Sequence, residues 1–187
     1  QIHAVQANLR YPASVEAATR GAAAVVNLVG ILAGQGAQTF DAVHVKGAAA
    51  VAKAAAGAGA PLVHVSAIGA DAESASAYAR SKAAGEAAVR EAAPASIIMR
   101  PSVVFGPEDD FTNRFAAMAR LMPVLPLIGG GGTKMQPVYA GDVAHAIADA
   151  VDGVAKERAT YELGGPEVLT LREINQIILA MTDRERT

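Results

Sequence analysis

Cysteine and tryptophan are absent from this 187-residue sequence, and aromatic side chains make up only 4% of it. Without cysteine there is no disulfide framework, no thiolate metal site and no cysteine nucleophile. Neither sign of charge dominates: 16 Lys+Arg stand against 18 Asp+Glu, a formal net charge of −2. That balance, with no basic block, leaves no positive field to hold nucleic acid. No apolar run reaches the roughly 18 residues that would span a bilayer, so no transmembrane segment is expected. His3, His44, His64 and His145 are scattered and make no H-x-x-x-H spacing, so no metal site is expected. The first residues carry neither a basic n-region nor an apolar h-region. What is present is 52% hydrophobic and 18% charged residues, which fits a folded globular chain and excludes a disordered one.

Short apolar runs alternate with alanine-rich helical runs. Residues 2–6 read as a strand, and 14–20 as a helix with Ser14 as N-cap. Residues 23–29 (AAVVNLV) are short, β-branched and apolar on both faces, as a strand between two helix layers requires. A long helix is predicted over 40–58, where Phe40, Val43, His44, Gly47 and Val51 recur at helical spacing. Strands follow at 62–66 and 95–100, with a helix over 76–91 between them. A helix near 110–121, a Pro/Gly-rich loop over 123–132, a short strand within 135–139, a helix over 142–151 and a strand at 160–163 come next. Thr170 and Glu173 form a capping box for a last helix. Strands and helices alternating about every 30 residues predict an α/β, Rossmann-type doubly wound parallel sheet. Helix propensity accounts for the alanines.

Tyr78-Ala-Arg-Ser-Lys82 is the sharpest feature. The two side chains stand four apart near the start of a helix and share one face. A free phenol has a pKa near 10, too high for proton exchange at neutral pH. A nearby ammonium stabilises the phenolate and lowers that value. Alone, the spacing more often describes an exposed tyrosine stacked on a lysine stem. Its surroundings add weight: Asn27-Leu28-Val29-Gly30, Ser66 and Arg100-Pro101-Ser102-Val103-Val104 all fall at strand carboxyl ends, where ligands bind in open α/β sheets.

These residues resemble the extended and atypical branches of the short-chain dehydrogenase/reductase superfamily. Asn8-Leu9-Arg10 is similar to that family's adenine-contacting segment. Asn27, Leu28, Val29 and Gly30 match the segment beside the adenine ribose, and Tyr78 and Lys82 match the catalytic pair. Pro101, Ser102, Val103 and Val104 match the segment that packs on nicotinamide, with Arg100 just before it. Three longer stretches, residues 76–86, 100–113 and 136–143, are similar to the accessory subunit of respiratory complex I and its bacterial relatives. The resemblance implies an NAD(P)-binding domain over 1–187, with 107–140 and 164–187 contributing to a smaller substrate or partner region. NADP(H) or NAD(H) is the implied cofactor.

Two functions follow as expectations. The first is a dinucleotide-binding accessory or assembly subunit of NADH:ubiquinone oxidoreductase with little or no catalysis, its partners the complex I subunits. The second is an active oxidoreductase on a carbonyl, alcohol or sugar-nucleotide-like substrate. There Tyr78 is the acid/base, Lys82 tunes it and orients ribose, and Ser66 polarises the carbonyl. A regulatory NADPH sensor is a third reading. The implied location is cytoplasmic, peripheral on a bacterial inner membrane or on the mitochondrial matrix side.

The sequence departs from the family in four places. No G-x-x-G-x-x-G follows a first strand, so residues 2–6 correspond to the family's third strand and the chain reads as part of a longer protein. The family's catalytic Ser or Thr falls nearer Ala67 or Ile68 than Ser66. Asn8 replaces an Asp, and His44 replaces an Asn; a half-buried histidine bonded to backbone is the preferred reading there. Glu108, Asp109 and Asp110 read as a solvated loop entering a helix N-terminus, which favours acids. Arg114 and Arg120 on that helix are candidates to meet an anionic substrate or a partner.

Overall fold

The computed structural model describes residues 2–122 and 125–182. Pro123 and Val124 of the predicted loop, and 183–187 of the predicted C-terminal region, lie outside the described residues. The chain forms two compact units, Gln1–Arg100 with Ala146–Glu162, and Pro101–His145 with Leu163–Thr187.

The first unit opens on α1 (Pro12–Thr19), β1 (Val25–Asn27) and α2 (Ala48–Gly57). It continues through β2 (Leu62–Val65), α3 (Ala77–Ala92) and β3 (Ile97–Pro101). β1 pairs in parallel with β2, and β2 with β3, in the registers Val25↔Leu62 and Val63↔Ile97. Strand β7, numbered by its place in the chain (Thr160–Leu163), completes the order β1-β2-β3-β7. Parallel neighbours joined by helical crossovers are what the alternating pattern predicted. The core packs Val15, Val25, Val51, Leu62 and Val89 with Ala48, Ala52, Ala54 and Ala55. The alanines of α2 therefore do more than favour helix: five of them are buried in a helix that packs on α1 and α3, where larger side chains would hold the helices apart.

Three expectations need correction here. Residues 2–6 are not a strand: Ile2 is 97% exposed, and a strand needs a ladder partner that none of the described residues gives it. The first helix begins at Pro12 rather than Ser14. Proline's fixed φ suits the first helical position, and the Ser14 hydroxyl turns back to Asn8 and Tyr11 carbonyls instead of capping. β1 is shorter than predicted and is not apolar-packed on both faces, since Val26 is 38% exposed. The predicted helix over 40–58 is present, but Asp41–Gly47 winds as a π-helix ahead of α2. Gly85 of α3 explains the fit, because a Cβ there would overlap the backbone carbonyl of His44.

The second unit contains β4 (Val104–Phe105), α4 (Thr112–Leu121), β5 (Lys134–Met135), β6 (Val138–Tyr139), β8 (Leu169–Thr170) and α6 (Leu171–Met181). α5 (Ala140–Val151) starts in this unit and ends in the first. β4 pairs with β6 in parallel, and β5 with β8 antiparallel. Phe115, Ala119, Leu125, Leu171, Ile174 and Ile178 form its core. The Thr170–Glu173 capping box is formed as predicted. Asp109 accepts from the Gly106 N–H and from the Thr112 backbone and hydroxyl, which makes the acidic stretch an entry to α4.

Candidate functional site

The carboxyl ends of β1 and β2 and the first turns of α3 bring polar groups together in the first unit. Asn27, at the end of β1, is buried. Its Oδ1 accepts from the Val29 N–H at 3.1 Å, and its Nδ2 donates to His64 Nδ1 at 3.1 Å. An amide nitrogen only donates, so His64 is unprotonated at Nδ1 and neutral. Burial first, then the charge of Lys82, lowers the His64 pKa to about 4.

Lys82 is 5% exposed on α3. Its Nζ donates to the Val65 carbonyl at 3.1 Å, and it makes no salt bridge among the described residues. Burial lowers its pKa, opposed by Glu86. Ser66 follows Val65; its N–H donates to the Met99 carbonyl at 2.7 Å. Its buried hydroxyl has no hydrogen-bond partner among the described residues. Gly30 borders the same space, for a Cβ there would stand 3.6 Å from His44 Nε2 and 3.9 Å from Lys82 Nζ.

Tyr78 is half-buried, with its ring edge-on to Phe40 and His44 at 6.0 and 5.6 Å. Its hydroxyl pKa is raised by burial, not lowered. This differs from the tuning expected of the pair: the ammonium is engaged by the Val65 carbonyl and is itself disfavoured by burial, so it does not offset the desolvation of the phenol.

The remaining sequence candidates have their own local roles. Asn8 Oδ1 accepts from the Arg10 N–H at 3.0 Å, an Asx turn, and Leu9 packs on Gly47. Leu28 and Val29 are exposed beyond β1. The Arg100 guanidinium is held by both oxygens of Glu86, at 2.9 and 2.8 Å, and by Glu162 at 3.5 Å. Pro101, Ser102, Val103 and Val104 belong to the second unit or its border. There Ser102 Oγ accepts from the Gln136 N–H and the Val103 carbonyl accepts from the Val138 N–H. That unit also holds an apolar cavity of about 350 Å³, lined by Phe105, Phe111, Ile174, Ile178 and Met181 among others.

Sequence reasoning missed Ser81 and Glu86, which share the α3 face with Tyr78 and Lys82. The i, i+4 spacing of Lys82 and Glu86 was the available signal. It read His44 as a half-buried histidine bonded to backbone; the backbone bond is there, with Nε2 accepting from the Ile31 N–H at 3.0 Å, but the residue is fully buried.

Adjacent parallel strands with helical crossovers, and polar groups gathered at their carboxyl ends, define a Rossmann-type α/β domain. The family described as RmlD substrate binding domain matches residues 7–187, and the chain belongs to it, within the extended short-chain dehydrogenase/reductases. Among curated proteins it is 46% identical to the mitochondrial NADH dehydrogenase [ubiquinone] 1 alpha subcomplex subunit 9 of Arabidopsis thaliana over 120 residues, 64% of this chain and 30% of that protein. The Mus musculus subunit of the same name is 36% identical over 173 residues, 91% of this chain and 46% of that protein. A ceramide reductase of Caulobacter vibrioides is 36% identical over 128 residues, 68% of this chain and 40% of that protein. The chain thus spans less than half the length of these relatives. A dTDP-glucose 4,6-dehydratase mutant of Streptomyces venezuelae, solved with NAD, superposes with a TM-score of 0.80 at 24% identity, covering 95% of this chain and 63% of that one. A dTDP-4-dehydrorhamnose reductase of Bacillus anthracis, solved with NADP, gives 0.80 at 17% identity, covering 96% and 70%. No helix among the described residues is long and apolar enough to cross a membrane.

Proposed function

We propose that the protein holds a nicotinamide dinucleotide, NADP(H) or NAD(H), as an accessory subunit of NADH:ubiquinone oxidoreductase, with little or no catalysis. The observation that carries this reading is Lys82: a buried ammonium with three donors and one acceptor among the described residues. A buried charge left so poorly matched is costly, and ribose hydroxyls supply the missing acceptors. The free Ser66 hydroxyl and the side-chain-free Gly30 border the same place. The bound dinucleotide would bring hydride chemistry; the chain's part is to orient it. Tyr78, its phenol held above its ordinary value, is poorly set for proton transfer, and that favours a holding role. Likeness to mitochondrial complex I subunits supports the partner, and with it a peripheral site at the inner membrane or on its matrix side.

Calorimetric titration of the intact protein with NADPH and NADH tests the binding. Lys82→Ala should weaken it by roughly 10- to 150-fold, the worth of a charge-assisted hydrogen bond, and Tyr78→Phe by less. Failure of the folded, ligand-stripped protein to bind either dinucleotide refutes the reading. Migration with a large membrane complex in native purification tests the partner. The Tyr78–Lys82 spacing and the likeness to a ceramide reductase favour one alternative, an active reductase. Oxidation of reduced cofactor by an aldehyde, ketone, quinone or sugar nucleotide, abolished by Tyr78→Phe, would establish it instead.

A further inference from the structure

His44 is 3% exposed and lies in the middle of the π-helical stretch Asp41–Gly47. Such stretches are rare and recur at functional sites. Both ring nitrogens are used, in opposite senses. Nε2 accepts from the Ile31 N–H at 3.0 Å, so the proton of the neutral ring sits on Nδ1. Nδ1 donates to Ser81 Oγ at 2.8 Å, and that hydroxyl donates to the Tyr78 carbonyl at 2.7 Å. Phe40 stacks on the ring at 5.3 Å, and the Tyr78 ring meets it edge-on at 5.6 Å. Gly85 lets the His44 carbonyl lie directly on α3, which fixes the stretch along that helix. The ring therefore joins two segments that share no sheet ladder: the loop after β1 and the first turn of α3.

We infer that His44 is a positioning residue of this site, tying the backbone at Ile31 to the Tyr78–Ser81 turn so that the Gly30 loop and Lys82 form one rigid cradle for the dinucleotide. The inference rests on the dinucleotide reading of the site. It also says why a histidine is used. From the same backbone position, asparagine presents an atom near Nδ1 only and glutamine near Nε2 only, so neither joins both segments.

Those two replacements separate the ends of the clamp. Amide hydrogen exchange at Ile31 is measured in the intact protein without ligand, and affinities for NADPH and NADH by calorimetry. His44→Asn, which loses the acceptor for Ile31, should speed Ile31 exchange and weaken dinucleotide binding, each by roughly 5- to 150-fold, the cost of an unsatisfied buried donor. His44→Gln, which restores that acceptor, should recover most of both. Ser81→Ala keeps the imidazole, removes its other anchor, and should shift both readouts in the same direction by a smaller factor; it carries the test if His44→Asn does not fold. Unchanged Ile31 protection in His44→Asn or, failing that, in Ser81→Ala overturns the inference. So does lost protection with unchanged affinity. Binding of neither dinucleotide by the wild type overturns the dinucleotide reading and the cradle together, whereas wild-type binding with either of the preceding results overturns the cradle alone.

Discussion

Acidification should destabilise the first unit through His64. This imidazole is 2% exposed on β2, and its Nδ1 is committed to the Asn27 amide. Burial and the Lys82 charge take its pKa from 6.5 to about 4, Glu86 opposing and His44 adding a small push in the same direction. Because the folded-state value is depressed, the unfolded chain takes up the proton first. Stability is full above 6.5 and is lost as pH falls from 6.5 towards 4. Each pH step within that window costs about 1.4 kcal/mol, so this one group removes about 2 kcal/mol by pH 5 and about 3 once fully developed. That is a large share of the roughly 5–15 kcal/mol that holds a domain folded. His64→Asn places an amide oxygen near the Nδ1 position, offers Asn27 an acceptor and does not titrate. Urea unfolding of both proteins at pH 7.5 and pH 5 gives the difference directly, other titrating groups being common to both. Wild type should lose about 2 kcal/mol more than His64→Asn over that interval. Equal losses would refute the account of His64 as a neutral, desolvated base.

Two glycines should respond in opposite ways to a methyl group. Gly85→Ala drives a Cβ into the His44 backbone carbonyl and should cost about 1–3 kcal/mol by overpacking, read as a lower midpoint in thermal unfolding. Gly30→Ala meets only ordinary contacts at 3.6 and 3.9 Å, so its melting temperature should hold while calorimetry shows weaker dinucleotide binding. Glu86→Gln breaks the bidentate pair with Arg100 and should destabilise by about 1.5–3 kcal/mol in urea unfolding. An unchanged midpoint would make that ion pair a surface contact of no consequence.

Most of the fold was legible because its strands are short apolar runs and its helix ends carry local signals. β2, β3 and β7 fell within a residue or two of their predicted places, and the Thr170–Glu173 box is a purely local device. What failed depended on distant partners. Residues 2–6 have strand composition, but a strand exists only as part of a ladder. Val25 and Val26 look alike in sequence, yet one is buried and the other exposed, because successive strand side chains point to opposite faces of the sheet and the face of Val26 is the less covered one. Helical periodicity cannot distinguish 3.6 residues per turn from the wider π form over two turns. At Asp41–Gly47 the π-helical stretch lies against a glycine on another helix, Gly85, a contact that periodicity does not reveal.

The site shows the same division between pattern and environment. Tyr78 and Lys82 were found by their spacing, their surroundings and the family resemblance, but spacing carried the wrong sign for the phenol. Proximity of an ammonium suggested a lowered pKa, whereas burial raises it and lowers the lysine's. Desolvation depends on what covers a group, and here the covering residues come from afar: His44 and Ser81 are 37 residues apart, as are Asn27 and His64. Burial thus raises the phenol's pKa and lowers the lysine's, because each group is driven to its neutral form. A ligand that gives the Lys82 ammonium acceptors reverses the lysine's part of that, stabilising its charge, and the restored charge then favours phenolate at Tyr78. Any proton-transfer competence of this pair therefore belongs to the loaded site. The alkaline titration of Tyr78, followed by phenolate absorbance and assigned by its loss in Tyr78→Phe, should begin at lower pH with dinucleotide bound than without. A titration unmoved by saturating NADPH and NADH would leave Lys82 as an anchor for the ligand and nothing more.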